Sequence, residues 1–303
     1  MAEAFSAHER TGELAQQLAE FLERHSRVLV LTGAGLSTAS GIPDYRDRDG
    51  VRRGRLPIQG PEFRRDAAIQ RRYWARSMVG YPLLAQARPN SGHRALAALE
   101  AGRKLGVILT QNVDGLHQQA GSQAVLELHG NIHEVGCLGC GARCSRASLQ
   151  SRLQRDNPGL SEAMAKPLPD GDAALDTDTL ADVQANFVLP LCEQCGGVLM
   201  PDVVFFGDNV PPARTASALA LMEAADALLV VGSSLMVYSG FRFCRLAAAA
   251  GKPIAALNLG RTRADDLLAL KLEASSETLL PLVAQLLNVS AAPTDLSDQR
   301  GIS

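Results

Sequence analysis

The sequence lacks several features that would place it in a specialised class of protein. No apolar run is long enough to span a membrane, so we expect no membrane association. Six cysteines in 303 residues are too few for a disulfide scaffold. The 30 basic and 32 acidic residues leave a net charge of −2, and this balance provides no surplus of positive charge for direct nucleic-acid binding.

The amino terminus lacks the features of a targeting segment. It has neither the basic start and apolar stretch of a secretory signal nor the long, arginine-rich stretch of an organelle presequence. We therefore expect a cytoplasmic protein, and we expect a monomer. With 46% hydrophobic and 20% charged residues, a chain of this length can form one large α/β domain or a large domain with a smaller insert.

The chain contains four apolar runs that are typical of buried parallel strands, at residues 28–31, 107–109, 227–231 and 254–257. Small or amide side chains follow each run. These strand-end residues are Gly33, Ala34, Gly35 and Ser37, then Gln111, Asn112 and Asp114, then Gly232, Ser233 and Ser234, and finally Asn258, Leu259 and Gly260. Ligands of open parallel sheets bind outside the carboxyl ends of the strands, so four such ends predict one polar crevice. The alternative, that these residues only form turns, explains one strand end well and all four poorly.

The segment after the first run predicts a dinucleotide site. Gly33 permits a tight turn, and Gly35 lets the backbone approach a pyrophosphate, with backbone donors expected at the start of a following helix. Thr38 stands where the usual fingerprint has a third glycine, so the loop alone is weak support. Residues 41–46 do not belong to an ordinary phosphate loop, and they extend toward the reactive end of a bound dinucleotide.

Two cysteine pairs predict a metal site. The pairs Cys137-x2-Cys140 and Cys192-x2-Cys195 can each present two thiolates from a tight turn. Four thiolates make a closed tetrahedral site, most simply for one structural zinc ion. Cys144 fits this spacing less well. Zinc ribbons often contact nucleic acid, but the absence of a basic surplus argues against that role here.

We expect an α/β fold, with a Rossmann-like parallel sheet that carries helices on both faces and a smaller inserted domain made of a zinc ribbon and a helical module. The pattern within the helical module predicts helical stretches around residues 63–78. The expected boundaries are residues 1–44, 91–132 and 200–288 for the large domain, 45–90 for the helical module, 133–199 for the zinc-binding module and 289–303 for a flexible tail.

Seven segments resemble the sirtuin family of NAD-dependent protein deacylases. In chain order they are GAGLSTASGIPDYR, TQNVDGLH, ELHG, the two cysteine pairs, MPDVVFFGD, VVGSSLMVYSG and ALNLG. Within the family the chain is most similar to the class II branch, which includes the mitochondrial sirtuin known for ADP-ribosylation and lipoamide removal. This closer similarity rests on Tyr45, where many sirtuins have phenylalanine, and on residues 71–76, 169–172 and 237–243.

The resemblance implies that NAD is consumed as a cosubstrate. The residues expected to bind it are Gly33, Ala34, Gly35, Ser37, Ile42, Pro43, Asp44, Tyr45, Arg46, Gln111, Asn112, Asp114, His129, Gly232, Ser233, Ser234, Asn258, Leu259 and Gly260. The acyl oxygen of a modified lysine would attack the ribose carbon as nicotinamide leaves, while Asn112 and Asp114 hold the nicotinamide and its ribose. His129 would then act as general base on a ribose hydroxyl, which attacks the resulting imidate.

The resemblance also implies how an acyl-lysine protein or peptide binds. It would lie as an added strand between two extended segments, and the expected contacts are Val204, Phe205, Phe206, Gly207, Val237 and Ser239. Tyr73 and Arg76, one helical turn apart, match a pair that binds acidic acyl chains in one sirtuin branch. The alternative is that they are ordinary packing and solvated residues. A loop near residues 167–175 is a further candidate for the acyl channel.

Three alternatives to a deacylase remain open. A protein mono-ADP-ribosyltransferase would use the same cleavage of NAD, and a noncatalytic sensor would bind NAD or ADP-ribose without reaction. The sensor is disfavoured because Asn112, Asp114 and His129 are all present. A zinc-ribbon interaction module is weaker still, because it leaves the strand-end motifs unexplained.

Overall fold

The structure, a computed structural model, describes residues 2–52, 57–160, 166–167, 173–174 and 186–289, which contain both strands and helices. The strands are β1 (Val28–Thr32), β2 (Ile108–Thr110), β3 (Val125–Glu127), β4 (Gly130–Cys137), β5 (Arg143–Ser145), β6 (Lys166–Pro167), β7 (Ala173–Ala174), β8 (Leu199–Val203), β9 (Ala227–Val231), β10 (Ile254–Leu257) and β11 (Leu270–Leu272). The helices are α1 (Ala2–Glu23), α2 (Gly60–Arg65), α3 (Ala67–Gln86), α4 (Ser91–Ala101), α5 (Leu116–Gln119), α6 (Arg146–Asp156), α7 (Pro212–Ala224), α8 (Tyr238–Ala249) and α9 (Ser276–Leu286).

The largest sheet contains six strands in the order β11–β10–β9–β1–β2–β3, and every neighbouring pair is parallel. Leu31 in β1 pairs with Leu109 on one side and with Val230 on the other. The strand order reverses at β1, because β2 and β3 extend the sheet on one side and β9 to β11 extend it on the other. This reversal creates the crevice in which ligands of open α/β sheets bind.

Apolar cores cover both faces of this sheet. On one face, α1, α4 and α9 pack through residues that include Leu18, Leu96 and Leu280. On the other face, α7 and α8 pack through Met222 and Phe243. Strands buried on both faces have to be apolar throughout, and this explains the continuous apolar runs in the sequence. The predicted fold class is confirmed.

The structure confirms the four predicted strands with small changes at their ends. β9 and β10 have the predicted bounds, β1 extends to Thr32, and β2 lies one residue later than predicted. The edge strands β3 and β11 were not predicted. Each has three residues and is only partly buried, so neither produces a continuous apolar run.

A separate core joins the helical module to the zinc-binding module. Phe63 and Trp74 from α2 and α3 pack with Val135, Leu149 and Leu199 from the antiparallel sheet β5–β4–β8 and from α6. The two modules therefore form one small domain, although two separate segments of the chain contribute to it.

The helical stretches predicted around residues 63–78 are two helices that meet at Asp66. The carboxylate of Asp66 accepts hydrogen bonds from the amides of Ala68 (2.7 Å) and Ile69 (3.4 Å). An aspartate in this position caps a new helix, so α3 begins after it and α2 ends before it.

Several predicted boundaries and segments differ from the structure or lie partly outside the described residues. The small sheet extends from Gly130 to Val203, beyond the expected limits of the zinc-binding module. Of the loop near residues 167–175, only Pro167 and the strand β7 are described, and of the expected tail only Val289, which packs against the main core. No helix in the described ranges is long and apolar enough to cross a membrane.

Candidate active site

One deep crevice opens where the strand order reverses, and it encloses about 540 Å³, a size typical of ligand sites. All four predicted strand ends contribute to its lining. The predicted residues that line it are Gly33, Ala34, Gly35, Ser37, Ile42, Asp44, Tyr45, Arg46, Tyr73, Gln111, Asn112, Asp114, His129, Val204, Phe205, Phe206, Gly207, Gly232, Ser233, Ser234, Val237, Ser239, Asn258 and Leu259. Pro43, Arg76 and Gly260 are not among the lining residues.

The floor of the crevice is built from glycine backbone in close contact. A Cβ atom on Gly35 would lie 2.9 Å from the carbonyl oxygen of Gly232, and one on Gly33 would lie 2.7 Å from Cβ of Ser233. Gly232 itself has a φ of 59°, which favours glycine. Glycine at these positions therefore lets the ends of β1 and β9 approach each other closely.

The phosphate loop differs from the expectation in one respect. The sequence predicts a helix start with free amide donors, but two short 3-10 turns follow β1 instead. The amide of Gly33 donates to Val231, that of Gly35 to Gly232, and the next two amides donate within the loop itself. Most backbone amides of the loop therefore already donate hydrogen bonds within the protein. The loop contributes to the shape of the crevice more than it offers free donors to a ligand.

A buried polar cluster connects the first and second strand ends. The hydroxyl of Ser37 donates to Oδ2 of Asp114 (2.7 Å) and accepts from Nδ2 of Asn112 (3.0 Å). The amide of Leu116 donates to Oδ1 of Asp114 (3.0 Å). Burial raises the pKa of the Asp114 carboxyl above its ordinary value, while these hydrogen bonds act in the opposite direction. The cluster fixes Asn112 and Asp114 in orientation at the crevice wall.

The imidazole of His129 is held by hydrogen bonds at both ring nitrogens. Nδ1 lies 3.0 Å from the carbonyl oxygen of Gln111, and Nε2 lies 2.8 Å from Oγ of Ser239. Burial lowers the pKa of His129 to about 4, and the nearby positive charge of Arg214 acts in the same direction. His129 is therefore neutral at cellular pH, as a general base must be.

The two segments expected to bind a peptide are not equally extended. Val237 has extended backbone, but Ser239 lies in the first turn of α8, so the prediction of extended backbone through Ser239 is wrong. In the other segment, the amide of Val204 donates to the carbonyl of His129, and the carbonyl of Phe206 accepts from the amide of Gly60. Some of the backbone groups expected to bind substrate are thus engaged within the protein.

An aromatic wall lies at the small-domain side of the crevice. Tyr73 is 8% exposed, and its ring centre lies 5.2 Å from that of Phe205. Arg76 is half-buried, away from the lining. A different cation, Arg52, lines the crevice, with its guanidinium 4.8 Å from the ring centre of Phe206. Sequence reasoning missed Arg52, because it lies in an irregular loop with no periodicity to indicate its direction.

The four cysteines of the two pairs come together in the small domain. They are Cys137, Cys140, Cys192 and Cys195, whose sulfur atoms all lie within 4.8 Å of one another. Two of the Sγ–Sγ distances are 3.5 and 3.7 Å, close to the separation of about 3.8 Å that tetrahedral Zn–S bonds of about 2.3 Å would give. The amides of Gly139 and Gly197 point at sulfur atoms of the cluster, which favours the thiolate form. This donor set fits one structural zinc ion, and Cys144 is outside it.

Comparison with known proteins identifies the family. The family model for the Sir2 family matches residues 33–239, which are more than half of the chain. The chain belongs to the Sir2 family. An NAD-dependent protein deacetylase of Xanthomonas campestris pv. campestris is 57% identical over 268 residues, which make up 88% of this chain and 90% of that protein. NAD-dependent protein deacetylase 2 of Bradyrhizobium diazoefficiens is 53% identical over 265 residues, which make up 88% of this chain and 96% of that protein.

Solved structures of Sir2 enzymes share the fold. One, described as "Sir2-p53 peptide-NAD+", has a TM-score of 0.70 at 28% identity and covers 89% of this chain and 97% of that chain. Another, described as "Sir2 bound to acetylated peptide", has a TM-score of 0.68 at 28% identity and covers 91% of this chain and 99% of that chain. The region matched by the family model includes all four cysteines and most of the crevice lining, and Asn258 and Leu259 lie beyond it. Assignment to the class II branch of the family stays a prediction.

Proposed function

We propose that the protein is an NAD-dependent protein-lysine deacylase, which cleaves the nicotinamide–ribose bond of NAD and transfers the acyl group to ADP-ribose. The observation that carries this proposal is a neutral, hydrogen-bonded His129 in the same crevice as the buried cluster of Ser37, Asn112 and Asp114. The names of the relatives and the ligands of the Sir2 structures support the same reaction.

The residues at the strand ends indicate one orientation for a dinucleotide in the crevice. Gly33 and Gly35 line the crevice at the end of β1, where the pyrophosphate would lie between the two halves of the ligand. Ser233 and Asn258, at the ends of β9 and β10, would contact the adenosine half. Asn112 and Asp114 would contact the nicotinamide half, because they lie at the end of β2 on the other side of β1.

The chemistry assigned to each side chain follows from its surroundings. Bound NAD supplies the ribose carbon at which nicotinamide is exchanged for the acyl oxygen of the substrate. Asn112 and Asp114 are held rigidly by Ser37, so they can orient the nicotinamide and its ribose. His129 has a lone pair at Nε2 and would accept the proton of a ribose hydroxyl. Tyr45 and Arg46 would close over the nicotinamide side and exclude water.

An acyl-lysine peptide would enter between the two domains and lie along residues 204–207 on one side and Val237 on the other. Main-chain hydrogen bonds in such an added strand give affinity without demanding one sequence. The aromatic wall around Tyr73 would face the acyl chain, and Arg52 is a cation that lines the crevice beside Phe206. Recognition of an acidic acyl chain by Arg76 stays a prediction.

The remaining expectations stand as part of the proposal. We propose one structural zinc ion at the four cysteines, and the domain boundaries given above as the functional division of the chain. The cytoplasmic location, the monomeric state and the absence of nucleic-acid binding stay predictions.

A panel of acyl-lysine peptides tests the function. Acetyl, linear acidic, branched acidic and lipoyl peptides would each be incubated with NAD and the protein, and released nicotinamide would be measured. We expect release that depends on at least one acyl peptide and is matched by deacylated peptide. Release of nicotinamide without any acyl peptide, with ADP-ribose attached to protein, would favour the ADP-ribosyltransferase instead.

A further inference from the structure

The hydroxyl of Ser239 is hydrogen-bonded to Nε2 of His129, the nitrogen that would act as the base in the proposed reaction. Oγ of Ser239 lies 2.8 Å from Nε2, and both side chains line the crevice. Nδ1 faces the carbonyl oxygen of Gln111, which can only accept a hydrogen bond. Nδ1 therefore carries the ring proton, and Nε2 presents its lone pair to the hydroxyl of Ser239.

This geometry places Ser239 between the base and the rest of the crevice. A ribose hydroxyl that approached Nε2 directly would have to displace the serine from a hydrogen bond of good length. A serine hydroxyl donates one hydrogen bond and can accept two. While it donates to Nε2, Ser239 can still accept a hydrogen bond from a ribose hydroxyl, so the serine does not need to move.

We propose that Ser239 relays the proton from the ribose hydroxyl of NAD to His129, an inference that rests on the proposed deacylase function. As the ribose oxygen forms its bond to the acyl carbon, its proton bonds to Oγ of Ser239. The proton that Oγ carried passes at the same time to Nε2 of His129. Ser239 ends the step as a neutral hydroxyl and His129 as an imidazolium, which returns the proton when the lysine amine leaves.

The position of Ser239 in α8 suits this role. Ser239 is the second residue of a helix of 12 residues, so it lies at the positive end of the helix dipole. That end favours negative charge, including the partial charge that develops on Oγ while two protons are in transit. The same helix fixes the backbone of Ser239 relative to the crevice, which keeps the distance to Nε2 short.

Two variants whose side chains have the same shape distinguish the effect of the hydroxyl from the effect of side-chain volume. Ser239→Thr keeps a hydroxyl, whereas Ser239→Val has the shape of threonine without one. Ser217→Ala, an exposed position in the middle of α7, is the control for loss of a helical serine. Two partial reactions would be measured with an acyl peptide: exchange of labelled nicotinamide into NAD, which needs only the first half of the reaction, and formation of deacylated peptide, which needs both halves.

We expect Ser239→Val to slow the formation of deacylated peptide by about 10²-fold, a typical contribution of positioned proton transfer, while the exchange of nicotinamide continues. Ser239→Thr and Ser217→Ala should keep most of the wild-type rate in both assays. Adding Ser239→Val to His129→Ala should cause no further loss, because both changes interrupt one proton path.

Other outcomes would overturn the relay. If Ser239→Val forms deacylated peptide as fast as Ser239→Thr, the hydroxyl plays no part in the reaction. If both variants lose exchange and deacylation together, Ser239 supports the shape of the crevice and not a proton path. A wild-type protein that releases no nicotinamide with any acyl peptide would overturn the proposed function itself, and the relay with it.

Discussion

At the scale of single residues, burial determines which groups in the crevice carry charge. His129 is kept neutral because its ring is removed from water and lies near Arg214. Burial raises the pKa of the Asp114 carboxyl, and hydrogen bonds from Ser37 and Leu116 act against that shift. A neutral base and a hydrogen-bonded carboxyl group lie in one crevice, and the two side chains can take different roles in the same reaction.

The substitution His129→Ala tests the role of the base. We expect the formation of deacylated peptide to fall by about 10²- to 10⁴-fold, the usual contribution of general-base catalysis. NAD binding, measured by titration calorimetry, should change little. His25→Ala is the control, because the ring of His25 bonds to the carbonyl of Phe21 in α1 and is not among the residues that line the crevice. Full activity in His129→Ala would contradict the assignment.

Three histidines with lowered pKa values, the buried His93 and His117 and the half-buried His129, predict how stability depends on pH. Burial lowers the pKa of His93 to about 4, of His117 to about 3 and of His129 to about 4. In the unfolded chain these rings take up protons near pH 6.5. Between that pH and about 4 the unfolded state therefore binds more protons than the folded state, and stability decreases as the solution is acidified.

Urea unfolding at pH 7, 6 and 5 measures this effect. We expect the free energy of unfolding to fall steadily over this range, before most carboxyl groups begin to titrate. Equal unfolding midpoints at pH 7 and 5 would show that the three rings are not held neutral by the folded protein.

At the scale of elements, the parallel strands could be predicted from sequence because burial on both faces requires an apolar run. The four-cysteine cluster could be predicted because the spacing of each pair reflects one tight turn. The contact between His129 and Ser239 could not, because the residues are 110 positions apart and belong to different elements. The pattern of residues 238–249 could have indicated a helix, and with it that Ser239 is not in a strand.

The contact between the ends of β1 and β9 gives a prediction for the substitution Gly35→Ala. The added methyl group would lie 2.9 Å from a backbone oxygen of Gly232, and backbone cannot move aside cheaply. We expect a loss of about 1–3 kcal/mol in stability, typical of overpacking, and weaker binding of NAD. Urea unfolding and titration calorimetry measure the two effects.

Gly12→Ala is the matched control, because Gly12 lies in α1 with open space around its Cα. Alanine is the better helix former, so this change should stabilise the protein by roughly 0.5–1 kcal/mol. If Gly35→Ala behaves like Gly12→Ala, the floor of the crevice is not closely packed.

At the scale of the whole molecule, two cores of different origin enclose one crevice. The large domain is stabilised by apolar helices on both faces of its sheet. The small domain has a separate core formed from two separate segments of the chain, and the cysteine cluster lies beside it. A bound metal ion adds its binding free energy to the stability of a small domain of this kind.

The substitution Cys192→Ala tests this dependence. We expect zinc content, measured by elemental analysis, to fall from one ion per chain to none, and we expect amide hydrogen exchange to accelerate in β4 and α6 while β1 and β9 stay protected. Cys144→Ala should keep the metal, because Cys144 lies outside the cluster. Unchanged zinc content in Cys192→Ala would refute the metal site.

The most direct test of the proposed reaction is to follow the acyl group itself. The protein would be incubated with NAD and a peptide whose acetyl-lysine carries a deuterated acetyl group, and all products would be analysed by mass spectrometry. We predict one nicotinamide, one deacylated peptide and one ADP-ribose carrying the deuterated acetyl group for each NAD consumed. Deuterated free acetate as the first product, or ADP-ribose attached to protein with the peptide still acetylated, would contradict transfer of the acyl group to ADP-ribose.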